Sequence, residues 1–261
     1  MRTHTGRLTL DAARSAQPDV IILDEALPSA DTHALGRALR DDAEVGPSTP
    51  ILVSIARQPT TADHMAALRA GVWEFLVEPL PAEELTARVG SYIAARQEPG
   101  HRAAPLVDET TGLVSLHGLT RRARDLTLQA FHHFAPLACV ALAPAAGSPT
   151  DAAALVAETL RLSGRRSDAI GALGPGEFLV VAPGANGSGA VKLAERFVRL
   201  VQATATRRGR PVPKLRAGYD AVANVHYTPL EPRDLLGHAA SALRERGVGT
   251  SETWIRRYEE G

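Results

Sequence analysis

Asp19-Val20-Ile21-Ile22-Leu23-Asp24 is a run of β-branched and apolar residues that stops on a carboxylate. A stretch this apolar reads as a short strand buried on both faces of a parallel sheet. Pro50–Ile55 and Glu74–Val77 read as two further strands. Thr32–Arg40 and Ala62–Ala70 have helical spacing, and Pro81–Ala95 carries Leu85, Val89 and Ile93 on one face. Strands alternating with helices predict an α/β domain with a helix-covered parallel sheet. In open sheets of this kind ligands gather at the carboxyl ends of the strands, where Asp24 and Ser54 fall.

Gln97–Pro105 is polar and holds two prolines, Pro99 and Pro105. It reads as a linker, giving a first domain over 1–97, a connection over 98–107 and a second domain over 108–261. In the second domain a helix is expected over Leu116–Phe134, then a strand over Leu137–Leu142 and a helix over Ala152–Leu162. Ala169–Leu173 and Phe178–Ala182 flank Gly174-Pro175-Gly176-Glu177, a hairpin signal. A helix over Ala190–Ala203, a strand over Leu215–Tyr219 and a helix over Asp234–Arg246 complete an α+β pattern.

The 261 residues suffice for two such domains. Lys plus Arg and Asp plus Glu are both 29, and this balance argues against nucleic acid or an anionic membrane as partner. No apolar stretch approaches the roughly 20 residues of a membrane span. The single cysteine, Cys139, excludes a disulfide framework, and a buried thiol in a reducing cytoplasm is expected. It also excludes a zinc finger at the Arg2-Thr3-His4-Thr5-Gly6 run. His132 and His133 are adjacent on a helix and do not share a face. Gly184–Gly189 lacks the Gly-Lys-Ser/Thr ending of a phosphate loop, and Arg207–Arg210 reads as a solvated loop tip.

Asp24, Pro28, Ser54 and Glu78-Pro79, in this order and spacing, resemble the response-regulator receiver family. The resemblance covers about residues 3–95 and implies a truncated flavodoxin-like sheet, lacking the first strand and helix of the family's five-stranded plan. It assigns Asp24 to the phosphoacceptor, Ser54 to the switch hydroxyl and Glu78 to the family's lysine. Two readings of Asp24 stand side by side, a phosphoacceptor and a plain polar residue at a strand end. A carboxylate at Glu78 repels an incoming phosphoryl group, and without an acidic pair Asp24 offers too few oxygens for Mg²⁺. The absent strand would leave β-branched Val20–Leu23 with an open edge, to be covered by an upstream segment, a partner or a dimer mate.

Asp108-Glu109-Thr110-Thr111-Gly112-Leu113, Gly174-Pro175-Gly176-Glu177-Phe178 and Arg216-Ala217-Gly218-Tyr219 together resemble the GGDEF, or diguanylate cyclase, family. The likeness runs from 108 to about 250 and implies a nucleotidyl-cyclase-like α+β fold. The family joins two GTP molecules into cyclic di-GMP with metal ions held by carboxylates. Here Ala143 and Gly176 stand at the metal-carboxylate positions and Pro175 at the second glycine, so no catalytic residue and no metal ligand is expected. The hairpin is either a GTP site or a plain type II turn. Arg165-Arg166-Ser167-Asp168 matches the family's inhibitory Arg-x-x-Asp site for cyclic di-GMP, and otherwise reads as a solvated helix end.

The expectation is a cytoplasmic two-component signalling protein with an inactive cyclase-like output domain and no cofactor. Its partners would be a sensor kinase or other signalling protein, cyclic di-GMP, or a second copy of itself. The competing expectation is a weak, Mg²⁺-dependent diguanylate cyclase under receiver phosphorylation.

Overall fold

The computed structural model describes residues 5–26, 31–42, 44–45, 49–97, 107–245 and 254–259. Pro28, most of the expected linker and Arg246 lie outside the described residues. The chain divides into two compact units, Met1–Ala104 with Phe131–Phe134, and Pro105–Ala130 with Ala135–Gly261.

In the first unit helix α1 (Gly6–Ala16) leads into strand β1 (Ile21–Asp24), then α2 (Thr32–Asp41), β2 (Ile51–Ile55), α3 (Thr61–Arg69), β3 (Glu74–Val77) and α4 (Ala82–Gln97). The strands are all parallel in the order β1-β2-β3, with Asp24 beside Ser54 and Ser54 beside Leu76. Three strands are described, two short of a five-stranded plan rather than the one expected. The expectation of a first strand buried on both faces holds for β2, where Ile51, Leu52 and Val53 are all buried. It fails for β1, whose Ile21 and Leu23 are buried while Ile22 is 46% exposed. The reason is position: β1 is an edge strand and β2 is central.

Helix α1 escaped the sequence reading because its buried face consists of Thr9 and Ala13 alone. The Thr5 hydroxyl accepts from the Leu8 amide to start it, and Gln17 ends it in a left-handed conformation. A capping box between Thr60 and Asp63 starts α3.

The second unit runs α5 (Leu116–His132), β4 (Leu137–Pro144), α6 (Ala152–Ser163), β5 (Ala169–Gly174), β6 (Glu177–Pro183), α7 (Gly187–Arg207), β7 (Leu215–Val222), α8 (Pro232–Arg244) and β8 (Ile255–Arg257). The sheet order is β5-β6-β4-β7-β8, antiparallel except for the β7–β8 pair. One sheet face sends Val140, Leu142, Phe178 and Val180 into a core with Leu155 and Leu160 of α6 and Phe197 and Val201 of α7. The other face carries the row Gly171–Leu179–Ala141–Gly218. Small residues here let helix backbones approach: a Cβ on Gly218 would stand 2.1 Å from the Leu243 amide nitrogen of α8. A Cβ on Gly171 would stand 2.7 Å from the Val114 carbonyl oxygen and 3.0 Å from Leu119 of α5. Cys139 is fully buried in β4, and burial pushes its thiol well above the usual range. Helix α7 begins three residues before the expected Ala190 because Asn186 caps it, accepting from the Gly189 amide at 3.0 Å. Strand β8 was not foreseen, being only three residues long.

Candidate functional site

Three sequence-assigned groups of the first unit meet at the carboxyl ends of its strands. Asp24 ends β1, Ser54 lies next to it in register on β2, and Glu78 follows β3. Asp24 is turned to its own backbone, its Oδ1 accepting from the Ala26 amide at 2.9 Å. The Ser54 hydroxyl donates to the Glu78 carboxylate. One residue missed by the sequence reading is Arg57. Its guanidinium donates to Glu25 at 2.8 Å and to Asp63 at 2.7 Å. The hydrogen bond from Arg57, with those from Thr60, holds the Asp63 carboxyl well below the usual carboxylate range. The signal available in the sequence was only a lone cation two residues past a strand end, which is not distinctive.

These groups do not suit Mg²⁺. The ion requires several oxygen ligands in octahedral array, yet the Glu78 carboxylate is engaged by Ser54 and Arg57 is engaged by acids. Among the described residues no three or more of His, Cys, Asp and Glu gather in a way that could hold a metal.

The second unit's signature hairpin is a tight turn. Gly174 pairs with Glu177, leaving Pro175 and Gly176 as the two corner residues, and Gly176 has φ +72°. That positive φ after a proline is the type II pattern, and the register shift between Ala172 and Gly174 absorbs the mismatch with strand twist. Phe178 is wholly buried and anchors the hairpin to the core. Glu177 carries the remaining acid of the signature, and it is not open. Arg244 of α8 donates to its Oε2 at 2.6 and 3.0 Å, and Arg216 of β7 lies 3.5 Å from its Oε1. Hydrogen bonding to Glu177 raises the Arg244 guanidinium further above its ordinary value.

Ala143 explains how Arg216 reaches. The strand order is β6-β4-β7, with Ala143 on β4 directly beside Arg216 on β7. A methyl group between Arg216 and Glu177 leaves room for the guanidinium to cross. The two positions assigned to metal carboxylates thus present a methyl and a glycine, and the neighbouring Glu177 is paired with arginines, a donor set that does not fit a divalent cation.

Arg165 and Asp168 lie in the turn between α6 and β5, closed by the Asp168 amide donating to the Arg165 carbonyl at 3.0 Å. The Asp168 Oδ2 is buried and has no hydrogen-bond partner, and Oδ1 takes only a long bond of 3.4 Å from Ser167. Burial pushes this carboxyl up, while Arg165 and Arg196 pull it down. Arg196, on α7, escaped the sequence reading because it is 28 residues past Asp168 and only the fold brings it near. It donates to the Ser163 carbonyl at 2.5 Å. The site therefore gathers an under-satisfied acceptor with charge from guanidinium groups on two different segments, a combination suited to a ligand with donors and negative charge.

The entry motif is structural. Asp108 accepts from the Thr111 amide at 2.9 Å and the Thr111 hydroxyl at 2.7 Å, and Gly112 takes φ +66°. In the other loops weighed, Arg208 chelates Glu158 at 2.5 and 2.6 Å and Arg210 pairs with Asp151 at 3.1 Å.

The fold and these strand-end sites define an α/β protein of two units, one with a receiver-like parallel sheet and one with a mixed sheet. The N-terminal part has receiver-domain homologues, and solved GGDEF domains are structural neighbours of the C-terminal part. The response regulator MprA of Mycobacterium ulcerans is 33% identical over 118 residues, 45% of this chain and 49% of that protein. MprA of Mycolicibacterium vanbaalenii is 34% identical over 116 residues, 44% of this chain and 48% of that protein. The chain spans about half the length of these curated relatives. The GGDEF domain of PA1120 (TpbB or YfiN) from Pseudomonas aeruginosa is 22% identical with a TM-score of 0.42, covering 59% of this chain and 94% of that one. The GGDEF domain of DgcB from Caulobacter crescentus, in complex with c-di-GMP, is 13% identical with a TM-score of 0.44, covering 54% and 87%. No protein-family model matches the chain. No helix among the described residues is long and apolar enough to cross a membrane.

Proposed function

We propose that the chain is a cytoplasmic signalling protein whose second unit binds cyclic di-GMP and does not synthesise it, relaying the signal by docking to a partner protein. The observation that carries this reading is the pairing of Glu177 with Arg244 and Arg216. The acid that would grip a catalytic metal is spent on two guanidinium groups. Phosphoryl transfer from GTP demands the opposite arrangement, carboxylates free to hold metal ions against a triphosphate.

The ligand reading rests on Asp168 with Arg165 and Arg196. A guanine base offers O6 and N7 to a guanidinium, which Arg165 can donate to, and N–H donors that an ionised Asp168 can accept. Arg196 supplies charge for a phosphodiester. Arg165 is exposed and Asp168 is partly buried, so a ligand would bring donors to a carboxylate that the protein leaves under-satisfied.

In the first unit, the Ser54–Glu78 hydrogen bond supports a receiver-like unit that works without a phosphoryl group. Its role would be docking to a signalling protein and not acceptance of phosphate from a sensor kinase.

The test has two arms. Purified protein with GTP and Mg²⁺ is expected to yield no cyclic di-GMP, and clear product would favour the cyclase reading. Titration calorimetry with cyclic di-GMP is expected to give saturable heat that Arg165→Ala abolishes; an absence of heat with the unaltered chain would remove the ligand.

A further inference from the structure

Phe131–Phe134, the residues that close α5 and lead toward β4, belong to the first unit. A histidine pair holds them there. His133 is 2% exposed. Its Nε2 stands 2.9 Å from the Val72 carbonyl oxygen, and its Nδ1 stands 3.0 Å from Nδ1 of His64 on α3. A carbonyl only accepts, so Nε2 of His133 carries hydrogen. A neutral His133 then offers a bare Nδ1, and His64 must donate to it from its own Nδ1.

The pair lies among aromatic rings. Phe75 meets both imidazoles edge-on, at 5.4 and 5.6 Å, and Phe134 meets His64 at 5.7 Å. Burial in such surroundings disfavours a charged imidazole. It pushes His133 down to about 4 and also lowers His64. The other titratable groups that face the pair are His33 of α2, His132 on the same segment and Asp63 of α3. His33 and His132 oppose a charge on His133, while Asp63 favours one on His64 and is itself engaged by Arg57. The segment is strained as well. Phe134 has φ +51°, a left-handed conformation that a bulky side chain rarely adopts.

We propose that His64 and His133 form a proton-operated latch on Phe131–Phe134, shut when the pair carries no added proton or one, and open when both rings are charged. The first proton goes to Nε2 of His64, the more exposed ring, and leaves its Nδ1–H donating, now from a cation. The second must go to Nδ1 of His133. It removes the acceptor, sets two N–H groups against each other and puts two cations side by side in an apolar site. The Val72 contact then stands alone against the strain at Phe134. A histidine freed by opening titrates near the ordinary value of about 6.5. Between that value and about 4 the open form therefore binds more protons than the shut form. The shut form is fully favoured at neutral pH and loses ground as pH falls through this window, by up to about tenfold for each proton and pH unit.

This latch is independent of the cyclic di-GMP reading, and its test uses the full chain without nucleotide. Ring-nitrogen NMR at neutral pH is expected to show His133 as the Nε2–H tautomer and His64 as the Nδ1–H tautomer. The Ala135 amide closes the segment by donating to the Ala130 carbonyl at 2.9 Å. Its hydrogen exchange, corrected for the intrinsic rate, is expected to give an opening constant that rises at least about tenfold from neutral pH to about pH 5. Amides of the β4–β6 ladder are expected to show no such rise. His133→Asn keeps an acceptor for His64 and takes no proton, so it is expected to remove most of the rise, whereas His33→Gln is expected to keep it. The first three readouts need no variant. The opposite tautomer at either ring, a flat opening constant for Ala135, or a rise shared equally by the β4–β6 ladder would overturn the proposal. So would a full rise in His133→Asn or its loss in His33→Gln.

Discussion

The hydroxyl of Ser54 donates to the carboxylate of Glu78, joining the ends of two neighbouring parallel strands. A hydroxyl committed to an acid beside Asp24 is not poised for a phosphoryl group, and the acid itself repels one. Treatment of the chain with acetyl phosphate and Mg²⁺ is therefore expected to leave its intact mass unchanged. A hydroxylamine-labile phosphate mapping to Asp24 would contradict this.

Glu177 is linked to two arginines, but the link is a surface one, since Arg244 and Arg216 are both more than a third exposed. Exposed ion pairs contribute little after screening and side-chain entropy. Glu177→Gln is expected to lower unfolding stability by no more than about 1 kcal/mol. It is also expected to produce no cyclic di-GMP from GTP. Denaturant titration checks the first outcome and nucleotide chromatography the second.

Gly218 has no such latitude. The atoms nearest an added Cβ are the backbone of α8, with Ala239 O at 2.6 Å and Leu243 N at 2.1 Å. A backbone cannot rotate aside as a side chain can, so Gly218→Ala must push α8 off the sheet. Overpacking of this kind costs about 1–3 kcal/mol or more. The expected readout is a clearly lowered unfolding midpoint, whereas Gly174→Ala, with open space around it, should change little.

Asp168 gives a pH dependence whose direction follows from its burial. Its carboxyl titrates above the ordinary aspartate value of about 3.9. In the free protein the protonated form is favoured on folding, so its contribution to stability is present at low pH and is lost as pH rises through the folded value. Ligand binding runs the other way, because the ionised carboxylate accepts from guanine through both oxygens and more strongly than the protonated acid does. Affinity for cyclic di-GMP is expected to weaken as pH falls toward the acid range, and at a higher pH than an ordinary aspartate would give. Asp168→Asn should weaken binding and flatten this profile in calorimetry.

Much of the architecture was legible from residue patterns. The runs Pro50–Ile55, Glu74–Val77 and Leu137–Leu142 are short apolar stretches set between breaks in the pattern, which read as strands, and Pro175-Gly176 reads as a turn. Helix α1 was missed because it is short and polar overall and its buried face is made of only two small residues, Thr9 and Ala13. Strand β1 was misjudged because burial on one face or two depends on a neighbour, which local sequence does not state. Arg57, Arg196 and Arg244 were missed because a lone arginine carries no local mark of its partner.

By itself, then, the sequence determined most of the strands and helices (though not α1 or β8), where Asp24, Ser54 and the Gly174–Glu177 turn fall, and that carboxylates are missing from Ala143 and Gly176. These follow from side-chain chemistry and short-range periodicity. Only the tertiary structure decided that Glu177 is neutralised by arginines from β7 and α8, that Arg196 joins Asp168, and that β1 is an exposed edge. Each depends on distances between residues far apart in the chain, which are fixed by packing and strand order and not by local composition.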